Sequence, residues 1–327
     1  MGDALTIGIT GDVMLGRTLD RIISQRGFDY PWGDLLPLMK ETDFNLINLE
    51  TTLTNSERKV YKTFNFRSDP ENIQSLINAN IAVANLANNH IKDFAGEGLL
   101  ETIETLDAAG IKHVGAGKNR DDALEPAVIM EKGIIVGFLG LTDNEPGWIA
   151  NHGPGINYVD LTHKEEKARI LHSIENLSKE ADIIIVSIHW GDNMREKPEP
   201  GFVNFAHAMV GHGANVIHGH SAHILQGIEY YHNSLILYDT GDFVDDYAVD
   251  PELRNDLSAF FTMKVDKSGV LNLKLVPTRI FDYQVNRAMH EDHEWVIQRI
   301  KKLSSVFDTQ IDNQGNLDVN QSLYFQV

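Results

Sequence analysis

Short runs of apolar residues alternate along the first two thirds of the chain with longer stretches whose apolar positions recur at helical spacing. The runs Leu5–Thr10, Phe44–Asn48, Ile81–Ala84, Val128–Glu131 with Ile134–Leu139, Ile183–Ile188, and Asn215–His218 predict strands. Glu97–Ala109 predicts a helix closed by Gly110 as its C-cap. His163–Glu180 predicts another, with Leu161, Ile170, Ile174 and Leu177 near helical spacing. Strands and helices in alternation are the signature of an α/β protein. From His223 onward the texture changes. Ile224–Tyr231, Ser234–Asp239, Ala259–Val265 and Leu271–Val276 read as successive strands, joined by turns such as His232-Asn233 and Lys267-Ser268-Gly269. The chain is therefore expected to end its sheets in an antiparallel meander, followed by a helix over Glu294–Leu303 and a loosely held tail around Asp312–Asn320. The expected architecture is two sheets between layers of helices. One main domain spans 1–285, with a C-terminal helix and tail, 286–327, packed on it.

Against this pattern, the placement of polar residues is informative. Asp12 follows the first strand, Glu50 the second, and Asn88-Asn89-His90 the third after a short connection. His189 follows Ile183–Ile188, and His220 follows Asn215–His218. Strand carboxyl ends in an open α/β sheet converge on one crevice, where such folds bind ligands. Two carboxylates, an amide and several imidazoles form a mixed oxygen and nitrogen set suited to Zn, Mn, Fe or Co rather than Ca. A carboxylate can bridge two such cations about 3.5–4 Å apart, and the pair can deprotonate a water between them. Each residue also has a plainer reading. Asp12 could cap a helix, Asn88-Asn89-His90 could form a turn, and a strand-end His189 could simply be hydrogen-bonded. The run His218-Gly219-His220-Ser221-Ala222-His223 is the strongest element, because three imidazoles around a glycine are seldom structural. His207 and His212, at a helix or its end, are read as capping or packing. His113, His152, His163, His172, His232, His290 and His293 carry no spacing signal.

Charge narrows the partners. Lys and Arg number 28 against 47 Asp and Glu, a net charge of −19. A surface of that sign repels nucleic acid and anionic lipid, and no local basic patch stands out, so no nucleic-acid partner is expected. Cysteine is absent, which excludes disulfides and thiolate ligands. No apolar run approaches the roughly 18–20 residues that span a bilayer. Nor do Met1 to Thr10 read as a signal peptide. The expectation is a soluble protein, either cytoplasmic or an exported or cell-surface domain whose leader is missing.

The ordered motifs resemble one family. Gly11-Asp12-Val13-Met14-Leu15-Gly16-Arg17, Asn48-Leu49-Glu50, Phe64-Asn65-Phe66-Arg67, Ala87-Asn88-Asn89-His90, His189-Trp190-Gly191 and Gly219-His220-Ser221-Ala222-His223 are similar to those of CapA-type proteins. These belong to the poly-γ-glutamate capsule biosynthesis family within the calcineurin-like metallophosphoesterase superfamily. The resemblance covers Thr10 to about Val244. It implies a four-layer α/β/β/α sandwich and one or two divalent transition metal ions (Zn, Mn or Fe). It assigns Asp12, Glu50, Asn89, His189, His220 and His223 as ligands and His90 as the catalytic histidine.

The chain departs from the wider superfamily in two places. Met14 stands where an Asp-x-His motif has its histidine, and one extra residue separates His220 from His223. Thioether sulfur is a poor ligand for a hard dication, so one metal position is expected to be weak, differently built or empty. Asp242 stands where Asn is commoner in that family. Arg17 and Arg67 are read either as clamps for an anionic substrate group or as structural ion pairs.

Three functions follow as alternatives. The first is a metal-dependent hydrolase in which a metal-bound hydroxide attacks a phosphoester or a γ-glutamyl or peptide-like amide, with His90 as acid. Its substrate would be an anionic small molecule or a glutamyl polymer. The second is a non-catalytic accessory component of poly-γ-glutamate synthesis or export, with capsule-synthase partners. The third is a tailoring enzyme for a small carboxylate-bearing metabolite.

Overall fold

The computed structural model describes residues 4–319. Its first half-sheet is laid down by β1 (Leu5–Val13), α1 (Arg17–Arg26), α2 (Leu36–Glu41), β2 (Phe44–Leu49), α3 (Ile73–Asn78), β3 (Ile81–Asn85), α4 (Ala95–Ala108) and β4 (Lys112–Val114). The chain then builds a second sheet from β5 (Ala127–Glu131), β6 (Ile134–Thr142), α5 (Lys164–Leu177), β7 (Ile183–His189), α6 (Pro200–Gly211), β8 (Val216–His220), β9 (Ile228–Tyr231) and β10 (Ser234–Leu237). It returns to the first sheet with β11 (Asp242–Val244), β12 (Leu257–Asp266), β13 (Gly269–Phe281) and β14 (Gln284–Arg287). α7 (His290–Ser304) and β15 (Asn316–Asp318) complete the described chain.

The first sheet runs β14-β13-β12-β1-β2-β3-β4, with β11 also beside β1 and β15 beside β13. The second runs β9-β10-β8-β7-β6-β5. Strands β1 to β4 are mutually parallel, as are β6, β7, β8 and β10.

Alternation within each strand sorts its side chains into layers. Ile7 and Ile9 of β1, Phe44 and Leu46 of β2, Ile183 and Ile185 of β7, and Val216 of β8 pack between the two sheets. The intervening Ile47 and Leu49 turn outward onto Leu19, Ile23, Leu99 and Leu106 of α1 and α4. Ile184, Val186 and Ile188 turn outward onto Ile170, Ile174 and Phe205 of α5 and α6. Helices thus cover the outer face of each sheet, giving an α/β/β/α sandwich. Burying each such Leu, Ile or Phe contributes about 1.5–3 kcal/mol. α7 closes one edge of the middle layer with Val296, Ile297 and Ile300.

Two sequence expectations change in detail. The strand expected over Ile224–Tyr231 begins only at Ile228; before it Leu225 makes no more than an isolated antiparallel bridge to Thr240. The antiparallel end of the chain is also shared between sheets. β10 lies parallel to β8, and the meander proper is β12-β13-β14. The tail is held as far as it is described: Leu317 of β15 and Ile311 are buried. Asn320 lies outside the described residues, as does the end of the expected 286–327 unit. Among the described residues, no helix is long and apolar enough to cross a membrane.

Candidate metal centre

The alternation that builds the middle layer also builds the site. Following Phe44 and Leu46 on the inward face of β2 come Asn48 and then Glu50. After Ile183 and Ile185 on β7 come Ser187 and His189, and after Val216 on β8 come His218 and His220. All are buried. The inter-sheet core therefore changes from hydrocarbon to polar groups at the strand carboxyl ends. β1 reaches the same layer by an irregularity: between Ile9↔Leu46 and Asp12↔Asn48 its register shifts by one residue. That bulge re-aims Asp12. Two glycines allow the backbones to close around it. A Cβ on Gly11 would sit 1.7 Å from the Gly241 carbonyl oxygen, and one on Gly219 would sit 2.1 Å from that of Tyr238.

Potential ligand atoms of Asp12, His189 and His220 lie within 4.8 Å of one another, as do those of Asp12, Glu50 and His223. Asp12 is common to both groups. His223 Nδ1 is 3.3 Å from Asp12 Oδ2 and 2.8 Å from Asp242 Oδ1. Glu50 Oε1 lies 3.9 Å from His189 Nε2 and 3.9 Å from His90 Nε2, while Glu50 Oε2 accepts a hydrogen bond from the Tyr247 hydroxyl at 3.0 Å.

Four atoms here are buried with no hydrogen-bond partner, Asp12 Oδ2, Glu50 Oε1, His189 Nε2 and Asp242 Oδ2, and Asn89 Oδ1, beside His90 in the chain, is likewise buried and unpartnered. Buried polar atoms are normally satisfied, so such a concentration fits a site completed by a cation. The donor set, carboxylate and amide oxygens with imidazole nitrogens, fits a transition dication.

Hydrogen bonds dictate which way these groups face. Asn48 Oδ1 accepts from the amides of Asn85 (2.9 Å) and Asn88 (3.1 Å), so Asn48 Nδ2 donates to Asp12 Oδ1 at 2.7 Å. His218 Nε2 lies 2.8 Å from the Thr10 carbonyl oxygen and must donate to it. Neutral His218 then accepts at Nδ1 from the Ser187 hydroxyl (3.0 Å), whose oxygen accepts from His220 Nε2 (3.0 Å). His220 Nδ1 is then left without a proton of its own. It lies 2.8 Å from His189 Nδ1, which is also 3.3 Å from the Asn48 amide nitrogen, while His189 Nε2 has no hydrogen-bond partner.

Electrostatics follow from the burial. Burial holds His220 well below the usual imidazole range, lowers His189 to about 3, and lowers His218 to about 4. Burial, reinforced by the charges of Asp12 and Asp242, pushes Glu50 well above the usual carboxylate range. For Asp12, burial acts upward, but the close His223 imidazole, the His189 charge and the Asn48 hydrogen bond outweigh it and lower its pKa. Burial acts downward on His223, yet the Asp242 and Glu50 charges raise it well above an ordinary histidine.

His90 stands at the rim. Its Nδ1 is 2.6 Å from Asp93 Oδ2, and its ring stacks on Phe66 with centroids 3.7 Å apart. Asp93 also accepts from the Phe66 backbone N–H at 2.7 Å. Arg17 pairs with Asp246 and lies over the rings of Phe66 (4.8 Å) and Tyr247 (5.5 Å). Arg67 faces elsewhere: it donates to the Ser56 carbonyl at 2.9 Å and lies over Phe94.

Spacing alone does not point to Asp93, Ser187 or Tyr247, which orient site residues without belonging to any short motif, or to an orienting role for Asn48 within Asn48-Leu49-Glu50. A local basic segment is also present. The loop over residues 54–67 carries Arg58, Lys59, Lys62 and Arg67 against one acid, Glu57, with Tyr61 and Phe64 exposed. It hangs on the His90 motif, since Lys62 Nζ bonds the Asn89 carbonyl and Val60 N–H bonds that of Asp93 (2.9 Å). The acidic whole-chain charge conceals this patch.

Residues 6–247 match the family model described as bacterial capsule synthesis protein PGA_cap. The chain belongs to this family. Among PGA_cap relatives, a "Probable polyglutamine synthesis accessory protein" of Mycobacterium tuberculosis is 31% identical, over 94% of this chain and 93% of that protein. "Capsule biosynthesis protein CapA" of Bacillus anthracis is 31% identical over 85% of this chain and 68% of its own length. "PGA biosynthesis protein CapA" of Bacillus subtilis is 28% identical over 86% and 73%. Among solved structures, TT1561 of Thermus thermophilus aligns with 81% of this chain and 100% of its own, at 12% identity and a TM-score of 0.44. That score is below the level from which a shared fold follows.

Proposed function

We propose that this PGA_cap protein is a metal-dependent hydrolase in capsule-polymer synthesis, acting on a phosphoester or on a γ-glutamyl or peptide-like amide. One observation carries the reading: buried donor atoms of Asp12, Glu50, His189 and Asp242, from separate elements, lack hydrogen-bond partners around Asp12. Asp12, Glu50, Asn89, His189, His220 and His223 would hold one or two divalent ions (Zn, Mn or Fe). When bound, such ions supply an acidified water and polarise the scissile group.

The chain's own residues do the rest. Asp93 fixes the His90 ring, so that Nε2 faces the crevice and exchanges a proton with the leaving group. Lys59 and the ion-paired Arg17, Arg58 and Lys62 bring cationic side chains to the rim of a negative protein, where an anionic small molecule or a glutamyl polymer could displace their acidic partners. Arg67 contributes to that field from the base of the loop.

The word "accessory" in the Mycobacterium tuberculosis relative favours a second reading, a non-catalytic component with capsule-synthase partners. Metal-reconstituted wild type and His90→Ala, offered phosphoesters and γ-glutamyl peptides, separate the two. The hydrolase reading expects turnover by wild type and its loss in the variant at equal metal content. Absence of turnover on both substrate classes by the metal-loaded wild type would favour the accessory role.

A further inference from the structure

Met14 stands where the motif of the wider superfamily has its histidine, and its sulfur is taken up by a backbone N–H. It accepts the Gly16 backbone N–H at 3.1 Å and is fully buried. A carboxylate from another strand adjoins the Asp12 cluster. In β11, which pairs parallel with β1, Asp242 sits in direct register with Asp12. Directly paired residues in a sheet present their side chains on the same face. Asp242 is fully buried; its Oδ1 is 2.8 Å from His223 Nδ1, and its Oδ2 has no partner.

Asp12, Glu50 and Asp242 therefore place three buried carboxylates around one imidazole. The nearby cationic side chains are engaged elsewhere, Arg17 with Asp246 and Lys62 with Asp93 and Glu145. With the buried Asp245 carboxyl also against Asp242, His223 is outnumbered by the carboxylates around it, which calls for a cation of higher charge. The neighbouring group is different in kind, with two imidazoles, His189 and His220, sharing Asp12.

We infer that Asp242 is a metal ligand in place of the histidine absent at Met14, and that the two ion positions are chemically unequal. Asp12, Glu50, Asp242 and His223 form an oxygen-rich position that prefers a hard dication such as Mn²⁺, whereas the His189–His220 position prefers Zn²⁺. The inference rests on the metal-dependent reading above and deepens it.

The test is titration of the apo protein with Mn²⁺, read by loss of the free-ion EPR signal, and separately with Zn²⁺ by calorimetry. Asp242→Asn keeps an oxygen that accepts from His223, so a residue that merely orients His223 would tolerate it. A ligand carboxylate would not. We expect Asp242→Asn to weaken Mn²⁺ binding at least tenfold and leave the tighter Zn²⁺ event within twofold. Asp242→Glu, which keeps the charge, should bind Mn²⁺ more tightly than Asp242→Asn; thermal unfolding of each apo variant confirms that it folds. Mn²⁺ affinity unchanged in Asp242→Asn would overturn the inference and leave the proposed function standing. A wild type that takes up neither ion would remove the proposed function itself.

Discussion

His90 Nδ1 lies 2.6 Å from Asp93 Oδ2, and that contact, with the Phe66 ring stacked alongside, turns His90 Nε2 toward Glu50 Oε1 at 3.9 Å. The ring is thus held by groups outside the candidate ligand set, so its removal should separate chemistry from metal binding. His90→Ala is expected to lower turnover by roughly two to four orders of magnitude, the usual worth of a general acid or base. Metal content, measured by elemental analysis, should stay at the wild-type level.

Asp93 gives a pH signature in the apo protein. Burial raises its pKa from 3.8 to about 7. The folded state then holds a proton that the unfolded state has released between those values, so this group's contribution to stability falls as pH rises from about 4 to about 7. Asp93→Asn cannot ionise. Denaturant titrations across that window should show wild type losing stability relative to the variant with rising pH, and a constant difference above it. A constant difference throughout would mean that Asp93 ionises normally.

Ser187 transmits the orientation of His218 to His220 through two 3.0 Å contacts. Without its hydroxyl, His220 has no reason to carry its proton on Nε2. Ser187→Ala should lower Zn²⁺ affinity by about 10–100-fold, the typical cost of losing an outer hydrogen bond to a metal ligand. Imidazole ¹⁵N shifts of the apo protein should show His220 protonated at Nε2 in wild type and a mixture in the variant. Ser187→Thr, which retains the hydroxyl, should behave as wild type.

The two arginines should differ. Arg17 holds Asp246, next to the Tyr247 whose hydroxyl bonds Glu50, whereas Arg67 is tied to the Ser56 carbonyl. Charge-assisted hydrogen bonds contribute about 1.5–3 kcal/mol, so Arg17→Ala should reduce kcat/KM by about tenfold or more. Arg67→Ala should raise KM with little change in kcat. Equal effects would show that both act only through the field of the rim.

Much of this centre is legible in the chain because the strands are parallel and end in polar residues. Glu50 and His220 follow apolar runs whose alternation continues without a break, so their inward direction can be read directly. Asp12 is harder. Simple alternation from Ile7 and Ile9 would turn Gly11 inward, and only the register shift against β2 brings Asp12 into the layer. Asp242 and Tyr247 come from a strand and loop that cross back from the second sheet to the first, a step that no local pattern encodes. The basic rim is hidden for a different reason: whole-chain charge averages over a loop that only the tertiary fold sets above His90. The strand ending at Tyr231 is shorter than its apolar pattern suggests, because Leu225 pairs only through an isolated bridge to Thr240, a long-range partner that the local pattern does not encode.

The most direct test of the central claim is the metal content of folded wild type, Glu50→Ala and His220→Ala after reconstitution with Zn²⁺, Mn²⁺ or Fe²⁺ and removal of free ion. One or two equivalents in wild type and a loss in both variants is the predicted result. A folded wild type that retains none of the three ions would contradict it, and would leave the unpartnered Asp12, Glu50 and His189 atoms as a relic of a centre this protein no longer uses.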